Sequence, residues 1–201
     1  MKIGPKYKIA RRLGAPIFEK TQTAKYALSL SRKERNMKIS RKPKSEFGIS
    51  LIEKQKARLS YGLTEKQFRI YVDKASRSAN PAQKLFSLLE TRLDNVLFRA
   101  GIARTRSQAR QMASHGHALV NGRRSTIPSI LLSVGDKVTL RGGSQGSPLF
   151  AETKERMESL SAPGWLSVDP EKREVSVIGE PVYVKGEHVF DLGVVIEFYN
   201  R

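Results

Sequence analysis

The chain has 201 residues, of which 39% are hydrophobic, and its 37 Lys and Arg outnumber its 19 Asp and Glu, which gives a net charge of +18. This length and apolar content suffice for one or two domains with a real core. The charge excess goes beyond what solubility requires and indicates a polyanionic partner, with a merely solvated basic surface as the alternative. Membrane binding is disfavoured, because no basic amphipathic helix with a wide apolar face is visible.

Several function classes are excluded by what the sequence lacks. It has no cysteine and only three histidines, so we expect no disulfide, no thiol nucleophile, no structural metal and no other cofactor. It also lacks an apolar run long enough to cross a bilayer and the apolar stretch of a secretory signal. We therefore expect a cytoplasmic protein with no membrane partner and no small-molecule substrate.

Charge is distributed unevenly along the chain. Residues 1–83 carry 21 basic and 6 acidic side chains, residues 84–144 carry 10 and 3, and residues 145–201 carry 6 and 10. A polyanion is therefore expected to contact the first two segments. The acidic last segment is expected to face solvent or a basic protein neighbour.

The first 45 residues show little periodicity and are rich in basic side chains. Taken alone, this segment is predicted to be only partly ordered and to fold against RNA, or else to remain a floppy terminus. Its basic clusters are Lys6, Lys8, Arg11 and Arg12; then Arg32, Lys33 and Arg35; then Arg41, Lys42 and Lys44.

Two helices are predicted next. The first covers residues 51–59, and its basic side chains are candidate RNA contacts. Thr64 and Gln67 have the spacing of a capping box that begins the second helix, with Leu63 and Phe68 as a hydrophobic staple. The aromatic residues of the second helix are more typical of a core than of base-stacking platforms. The candidate contacts of the first helix are Lys54, Lys56 and Arg58.

The densest group of arginines lies in residues 92–124, where seven occur in 33 positions. Apolar residues recur on one face from residue 82 to residue 100, which predicts one buried-face helix ended by Gly101. Thr105 then caps a second helix, with Gln108 at the capping-box position and Gly116 after its last turn. At about 100° per residue, the polar side chains of this helix fall on one arc of its surface. Such an arc suits contacts with phosphates and ribose hydroxyls. The arc consists of Arg106, Ser107, Arg110, Gln111 and Ser114.

A hairpin follows this second helix. The run Ala118–Val120 leads into Asn121-Gly122, the dipeptide that best fits a tight turn with positive φ at both positions. Arg123 and Arg124 come directly after the turn. They are predicted to project from a rigid base onto RNA, or alternatively only to protect the hairpin from edge pairing.

The remaining residues extend the small sheet and add short elements. Together with the helices, they predict an α+β fold with a small, mostly antiparallel sheet. The expected elements are more of the sheet over residues 131–141, a flexible connector at GGSQGSP, a short acidic helix over 152–160, strands over 165–168 and 173–178, and a strand-like tail over 194–199.

The stretch RLDNVLFRAGIARTRSQARQMASHGHALVNGRR resembles the RNA-binding module named after ribosomal protein S4. LIEKQKARLSYGLTEKQFRIYVDKAS, the run ending in IPSILLSVGD, WLSVDPEK and the terminal VVIEFYNR resemble the bacterial-type members of that ribosomal protein family. The resemblance covers most of the chain in the family's order. Two departures are a missing N-terminal cysteine knuckle for zinc, as in the metal-free members, and a segment RKPKSEFG without the family's glycine- and histidine-rich form.

The resemblance implies an architectural protein, not an enzyme. It implies a primary binder of small-subunit ribosomal RNA that docks early at a multi-helix junction of the 5′ domain and nucleates assembly. It also implies a position near the messenger entry, as a monomer within the ribosome, beside a neighbouring small-subunit protein at an interface that affects decoding accuracy. Asp94 is expected to orient one arginine of the RNA face. That face would comprise Arg92, Arg99, Arg104, Arg106, Ser107, Gln108, Arg110, Gln111, His117, Asn121, Arg123 and Arg124.

The resemblance also predicts the division of the chain. Residues 1–82 would form a basic arm and a helical domain that binds ribosomal RNA. Residues 83–182 would form the inserted RNA-binding module with its acidic extension. Residues 183–201 would return to the helical domain.

Two other readings share the module. Pseudouridine synthases use a catalytic aspartate in an arginine-leucine-aspartate context, which Arg92-Leu93-Asp94 copies, but they need a separate catalytic domain for which no residues remain. A free-standing RNA-binding factor that acts on ribosomal subunits is the other alternative. The match outside the module argues against it.

Overall fold

The computed structural model describes residues 3–36 and 45–200, which form two compact units. The first unit comprises the described residues up to Leu85 together with those from Tyr183 onward, and the second runs from Phe86 to Val182. Helices combine with one five-stranded antiparallel sheet, which confirms the predicted α+β class.

Helices dominate the described part of the chain. They are α1 (Lys6–Leu13), α2 (Ala24–Asn36), α3 (Glu46–Ser60), α4 (Glu65–Ala75), α5 (Pro81–Glu90), α6 (Leu93–Arg99), α7 (Arg106–Ser114), the single turn α8 (Gly142–Gln145), α9 (Thr153–Ser159) and α10 (Leu192–Asn200).

The basic N-terminal segment is more ordered than the sequence predicts. Residues 6–13 and 24–36 are helical, and a separate apolar cluster holds them together through buried Ala10, Leu13, Phe18 and Tyr26. These apolar residues are spread over two helices and an intervening turn, so no single window shows a periodic stripe. The third predicted basic cluster, Arg41, Lys42 and Lys44, lies outside the described residues.

The predicted capping box at the start of α4 is confirmed. The Thr64 hydroxyl accepts from the backbone N–H of Gln67 at 3.3 Å, and the Gln67 side chain accepts from the backbone N–H of Thr64 at 3.4 Å. Leu63 and Phe68 are both fully buried. This N-terminus therefore fixes where α4 begins and which face it buries.

The predicted C-terminal strand is wrong, because residues 192–200 form helix α10. Leu192, Val195 and Ile196 are buried at helical spacing, and α10 packs against α3. The Asp191 carboxylate caps the helix by accepting from the backbone N–H of Gly193 at 2.8 Å. The β-branched and aromatic residues of the tail favour a strand locally, but burial against α3 outweighs that propensity.

The second unit contains the sheet. Its strands are β1 (Ala118–Val120), β2 (Arg123–Ser125), β3 (Lys137–Leu140), β4 (Leu166–Asp169) and β5 (Glu174–Val177), in the order β2-β1-β3-β5-β4 with every pair antiparallel. One face of the sheet contributes Val138, Leu140, Val175 and Val177 to a core that α6 and α7 complete. The predicted hairpin and the β4–β5 strand pair are confirmed.

Two local predictions are corrected. The single helix expected over residues 82–100 is broken at Thr91-Arg92, because the backbone there pairs with the segment before β3: Leu93 donates to the carbonyl of Ile130 and Leu132 donates to that of Thr91, both at 2.9 Å. The GGSQGSP connector contains α8 and a 3-10 turn, in which Ser147 caps the turn and Phe150 is buried. The high glycine content of this segment therefore led to the wrong prediction of a flexible connector.

Candidate nucleic-acid interface

Helices α6 and α7 hold most of the predicted RNA face. Gly101, with φ of +78°, ends the turn after α6, and an added Cβ there would lie 3.1 Å from the carbonyl oxygen of Arg156. Thr105 caps α7 by accepting from the backbone N–H of Gln108 at 3.1 Å. Gln108 itself accepts from the backbone N–H of Arg104, one residue earlier than a capping box requires.

Asp94 is a buried carboxylate that holds two arginines. Its oxygens accept from Arg92 Nε at 2.9 Å and Arg92 Nη2 at 2.8 Å, and Oδ2 also accepts from Arg110 Nε at 3.0 Å. The predicted orienting role of Asp94 is therefore visible in its contacts. Arg92 departs from the predicted RNA face, because it is 3% exposed and lies behind the surface. We assign Arg92 to the support of the site, while the partly exposed Arg110 belongs to its surface.

A second buried carboxylate, Glu90, holds another arginine of the predicted RNA face. It is 1% exposed and accepts from Arg99 through both oxygens at 2.8 Å. Asn95 donates to Glu90 at 2.9 Å and accepts from Arg106 Nε at 2.7 Å. The Arg106 guanidinium also lies over the Phe98 ring, 4.3 Å from its centroid. Both guanidinium groups are thus fixed before any ligand arrives.

The exposed side of α7 carries the short polar residues of the predicted arc. Ser107 and Gln111 are exposed, next to partly exposed Arg106 and Arg110. Arg104, just before the helix, is exposed and paired with exposed Glu152. The structure therefore keeps these five predicted side chains at or near the surface of one helix terminus and one helix face.

The β1–β2 hairpin presents Arg123 and Arg124. Asn121 and Gly122 adopt φ of +50° and +76°, as a two-residue turn of this kind requires. The Asn121 side chain is fixed to the start of β3, since it donates to Asp136 at 2.8 Å and accepts from the Lys137 backbone at 2.9 Å. It therefore stabilises the turn that carries the arginines.

Arg124 and His117 lie near the end of α7. Arg124 Nη2 donates to the carbonyl of His115 at 3.1 Å, where the helix terminus favours positive charge. His117 Nδ1 lies 2.9 Å from the Ser144 hydroxyl and its ring meets Phe150 edge-on. Because His117 is half-buried between α8 and the hairpin, it links the hairpin to that turn.

The predicted contacts on α3 are used internally. Lys54 is buried, donates to Glu65 at 2.9 Å and lies 4.8 Å from the Phe198 ring centroid. Lys56 pairs with Glu53 at 2.7 Å, and Arg58 donates to Gln55 and to the carbonyl of Leu63. Lys54 and Arg58 thus connect α3 to residues that follow it, whereas Lys56 pairs within the helix.

Helix α1 keeps basic side chains at the surface. Lys8 and Arg12 are exposed, while Lys6 and Arg11 are partly buried. Lys6 Nζ lies 5.6 Å from the Phe18 ring centroid, so part of its role is to pack α1. Of the predicted contacts on α1 and α3, the exposed side chains therefore lie on α1.

Comparison with known proteins covers both units. The profile of the ribosomal protein S4/S9 N-terminal domain matches residues 1–90, and that of the S4 domain matches residues 91–138. Small ribosomal subunit protein uS4 of Persephonella marina is 41% identical over 98% of both chains, and uS4 of Aquifex aeolicus is 39% identical over 99% of this chain and 98% of its own. The chain belongs to the uS4 family. This family consists of structural proteins, so the chain is not an enzyme.

Membership in the uS4 family confirms the predicted resemblance and disposes of the synthase reading. Asp94 accordingly has a structural explanation in its two arginine partners. No helix in residues 3–36 and 45–200 is long and apolar enough to cross a membrane. The same residues contain no group of three or more His, Asp and Glu placed to hold a metal ion.

Three supporting residues of this uS4-family site were not predicted from the sequence, namely Glu90, Asn95 and Phe98. A signal was available for Glu90, because a carboxylate among Leu85, Leu89 and Leu93 implies a buried partner. Asn95 and Phe98 carry no comparable signal, since their role depends on where Arg106 of α7 is placed.

Proposed function

We propose that this chain is a structural constituent of the small ribosomal subunit and a primary binder of its ribosomal RNA at a multi-helix junction of the 5′ domain, where it nucleates assembly. It would act as a monomer within cytoplasmic ribosomes. The observation that carries the proposal is the set of guanidinium groups on α6 and α7, in which buried Glu90 holds Arg99 and buried Asp94 holds Arg110. Names of the uS4 relatives support the small-subunit assignment.

Fixed arginines suit recognition of RNA by shape. A-form helices hide their base edges in a narrow major groove, so a protein reads the spacing of phosphates and 2′-hydroxyls. A guanidinium already held by a hydrogen-bond acceptor of the protein loses less side-chain entropy on binding than a mobile one. The fixed distances between the guanidinium groups of Arg99, Arg106 and Arg110 would therefore fit one arrangement of RNA strands.

The first unit would add a second contact with RNA through α1. Lys8 and Arg12 are exposed there, and residues 1–83 carry most of the positive charge of the chain. Lys54 of α3 would not take part in this contact, since it is buried and paired with Glu65. We propose that α1 clamps an adjacent RNA helix once the module has bound.

We also propose a contact with a neighbouring small-subunit protein that influences decoding accuracy. Support comes from the N-terminal end of α3, where Phe47 and Ile49 are each more than half exposed. The Phe47 ring lies 5.5 Å from that of Phe198 on α10, so the exposed apolar surface includes both helices. Apolar surface of this kind is typical of a protein contact instead of an RNA contact.

Competition binding at near-physiological salt tests the proposal. Labelled 5′-domain junction RNA would be challenged with excess transfer RNA and with large-subunit RNA fragments. We expect only the unlabelled junction RNA to compete well. Equal competition by every RNA would reduce the chain to a basic RNA binder, and preference for large-subunit fragments would favour a free-standing factor that acts on ribosomal subunits.

A further inference from the structure

A pocket of about 420 Å3 opens on the second unit at the turn between α6 and α7. Its volume falls in the range of ordinary ligand pockets, about 300–1,000 Å3. Both apolar side chains and guanidinium groups line it. The apolar part of the lining includes Phe98, Ala103 and Leu160, and the charged part consists of Arg99, Arg104 and Arg156.

Two of the three guanidinium groups are fixed by the protein itself. Buried Glu90 holds Arg99 through two hydrogen bonds of 2.8 Å. Arg156 donates to the carbonyls of Gly101 and Ile102 at 3.3 and 3.2 Å, which attaches α9 to the end of α6. The charged side of the pocket is thus preformed.

The third guanidinium group has a partner that a ligand can replace. Arg104 pairs with Glu152, and their side chains are 58% and 60% exposed; the Glu152 carboxylate also lies 3.7 Å from Arg156 Nη1. Exposed ion pairs are weak because water screens both charges. A phosphate is a stronger partner for arginine in geometry and in charge, so it competes directly with the Glu152 carboxylate.

The apolar side of the pocket is only partly covered. Leu160 is 45% exposed at the end of α9, and the Phe98 ring is half-buried with Arg106 over it. A ligand that matches both sides has a flat, largely apolar body and an anionic group. A nucleotide in single-stranded RNA has this chemistry, whereas a base paired within a duplex cannot leave its stack to enter.

We propose that this pocket receives one unstacked nucleotide of the bound ribosomal RNA, with its base against Phe98 and Leu160 and its phosphate in place of Glu152 beside Arg104. The inference rests on the proposed RNA-binding function. It adds a contact with single-stranded RNA to the proposed recognition of the shape of the RNA junction. It makes Leu160 and Glu152 determinants of binding, although the sequence pattern marks neither of them.

Two variants with the same chemical change test the base contact. Leu160→Gln removes apolar surface from the pocket, and Leu149→Gln is its control, because Leu149 is also 45% exposed in the same unit and does not line the pocket. For the full-length chain and 5′-domain RNA, we expect Leu160→Gln to weaken binding about fivefold to tenfold, as the loss of one stacked base does, and Leu149→Gln to leave it unchanged. Nucleotide-resolved chemical probing should show one base that becomes reactive only with Leu160→Gln.

Glu152→Gln tests the phosphate contact in the opposite direction. Removing the competing carboxylate should raise the affinity for the same RNA about twofold to fivefold, since Arg104 is then without its charged partner. Equal affinity and equal base protection for Leu160→Gln and Leu149→Gln would overturn the pocket assignment. If the wild-type chain itself fails to select the junction RNA, the proposed function fails instead.

A photoreactive side chain at position 160 identifies the occupant. Small subunits assembled with such a chain should cross-link to ribosomal RNA at the nucleotide found by probing. Cross-links to ribosomal protein alone would overturn the proposal, because the pocket would then hold a protein side chain.

Discussion

The guanidinium group of Arg124 lies directly on Gly116 at the end of α7. A Cβ added at Gly116 would overlap Arg124 Nε, and Arg124 Nη2 donates to the neighbouring His115 carbonyl at 3.1 Å. Gly116 also adopts a φ of +71°. This glycine therefore ends the helix and leaves room for an arginine of the proposed RNA face.

Gly116→Ala should separate these two roles. The positive φ costs about 1–2 kcal/mol of unfolding free energy for a non-glycine residue, and the flexible Arg124 side chain moves away at little further cost. Affinity for the 5′-domain RNA should then fall about tenfold, as for the loss of one charge-assisted hydrogen bond. Urea unfolding and RNA titration of the same sample measure the two effects.

Gly135→Ala is the matched control for this prediction. Gly135 has a φ of +97° with nothing within 4 Å of an added Cβ, so it shares the backbone cost without displacing a side chain. It should lose stability but not RNA affinity. Similar affinities for the two variants would show that Arg124 does not contact RNA from its place on Gly116.

Asp94→Asn should be among the most destabilising polar substitutions in the second unit. It removes the carboxylate that pairs with Arg92, which is 3% exposed, and breaking a buried ion pair on one side costs about 3–5 kcal/mol. Glu152→Gln removes a carboxylate that is itself 60% exposed and should change the unfolding free energy by less than about 1 kcal/mol. Chemical denaturation measures the loss of unfolding free energy for both variants. Equal losses would mean that the Asp94 carboxylate does not stabilise the buried arginine pair.

Local signals in the sequence were sufficient for the parts of the fold that depend on neighbouring residues. The Thr64–Gln67 capping box and the Asn121-Gly122 turn each involve residues at most three apart, and both occur as predicted. The strand pair β4–β5 was likewise marked by the short turn between its strands. In these places the residues that determine the geometry are all within one window of sequence.

The remaining features depend on partners that are distant in sequence. Helix α10 follows from packing against α3, more than 130 positions earlier, as shown by the hydrogen bond from the Asp191 backbone to Glu53. The sequence shows the charge of Arg92 and Lys54 but not which carboxylates pair with them. The sequence therefore shows that basic residues are abundant. Which of them form internal ion pairs and which remain at the surface follows only from the structure.

Arg123→Gln should reduce both RNA affinity and its salt dependence. Arg123 is exposed on β2, just after the hairpin turn. If it contacts one phosphate, the slope of log K against log salt should become shallower by about one unit. Lys172→Gln, 75% exposed in the turn before β5, removes the same charge from the acidic part of the chain and should leave the slope unchanged. Equal slopes for wild type and Arg123→Gln would remove this arginine from the interface.

The pH dependence of stability should reflect a contact between α10 and α4. Tyr199 donates to Glu65 Oε1 at 2.6 Å, and the same oxygen accepts from Lys54 at 2.9 Å. Partial burial alone would raise the pKa of Glu65, but the hydrogen bonds from Tyr199 and Lys54 and the positive charges of Lys54 and Arg58 lower it. Burial and the hydrogen bond to Glu65 raise the pKa of Tyr199.

These directions fix the sign of the effect. A lowered carboxyl pKa stabilises the fold above the unfolded value of 4.5, and this contribution is lost as the pH falls below that value. A raised phenol pKa stabilises the fold below the unfolded value of 10.0, and this contribution is lost as the pH rises above it. Tyr199→Phe should therefore lower the unfolding free energy most near neutral pH, by about 1 kcal/mol.

Urea unfolding between about pH 3 and pH 11 distinguishes this contact from simple packing. The difference between wild type and Tyr199→Phe should shrink at both ends of that range. Glu65→Gln retains an acceptor for the Tyr199 hydroxyl but has no carboxylate to protonate, so its unfolding free energy should fall less steeply below pH 4.5. Parallel profiles for wild type and Tyr199→Phe over the whole range would mean that the ring of Tyr199 holds α10 in place and its hydroxyl does not.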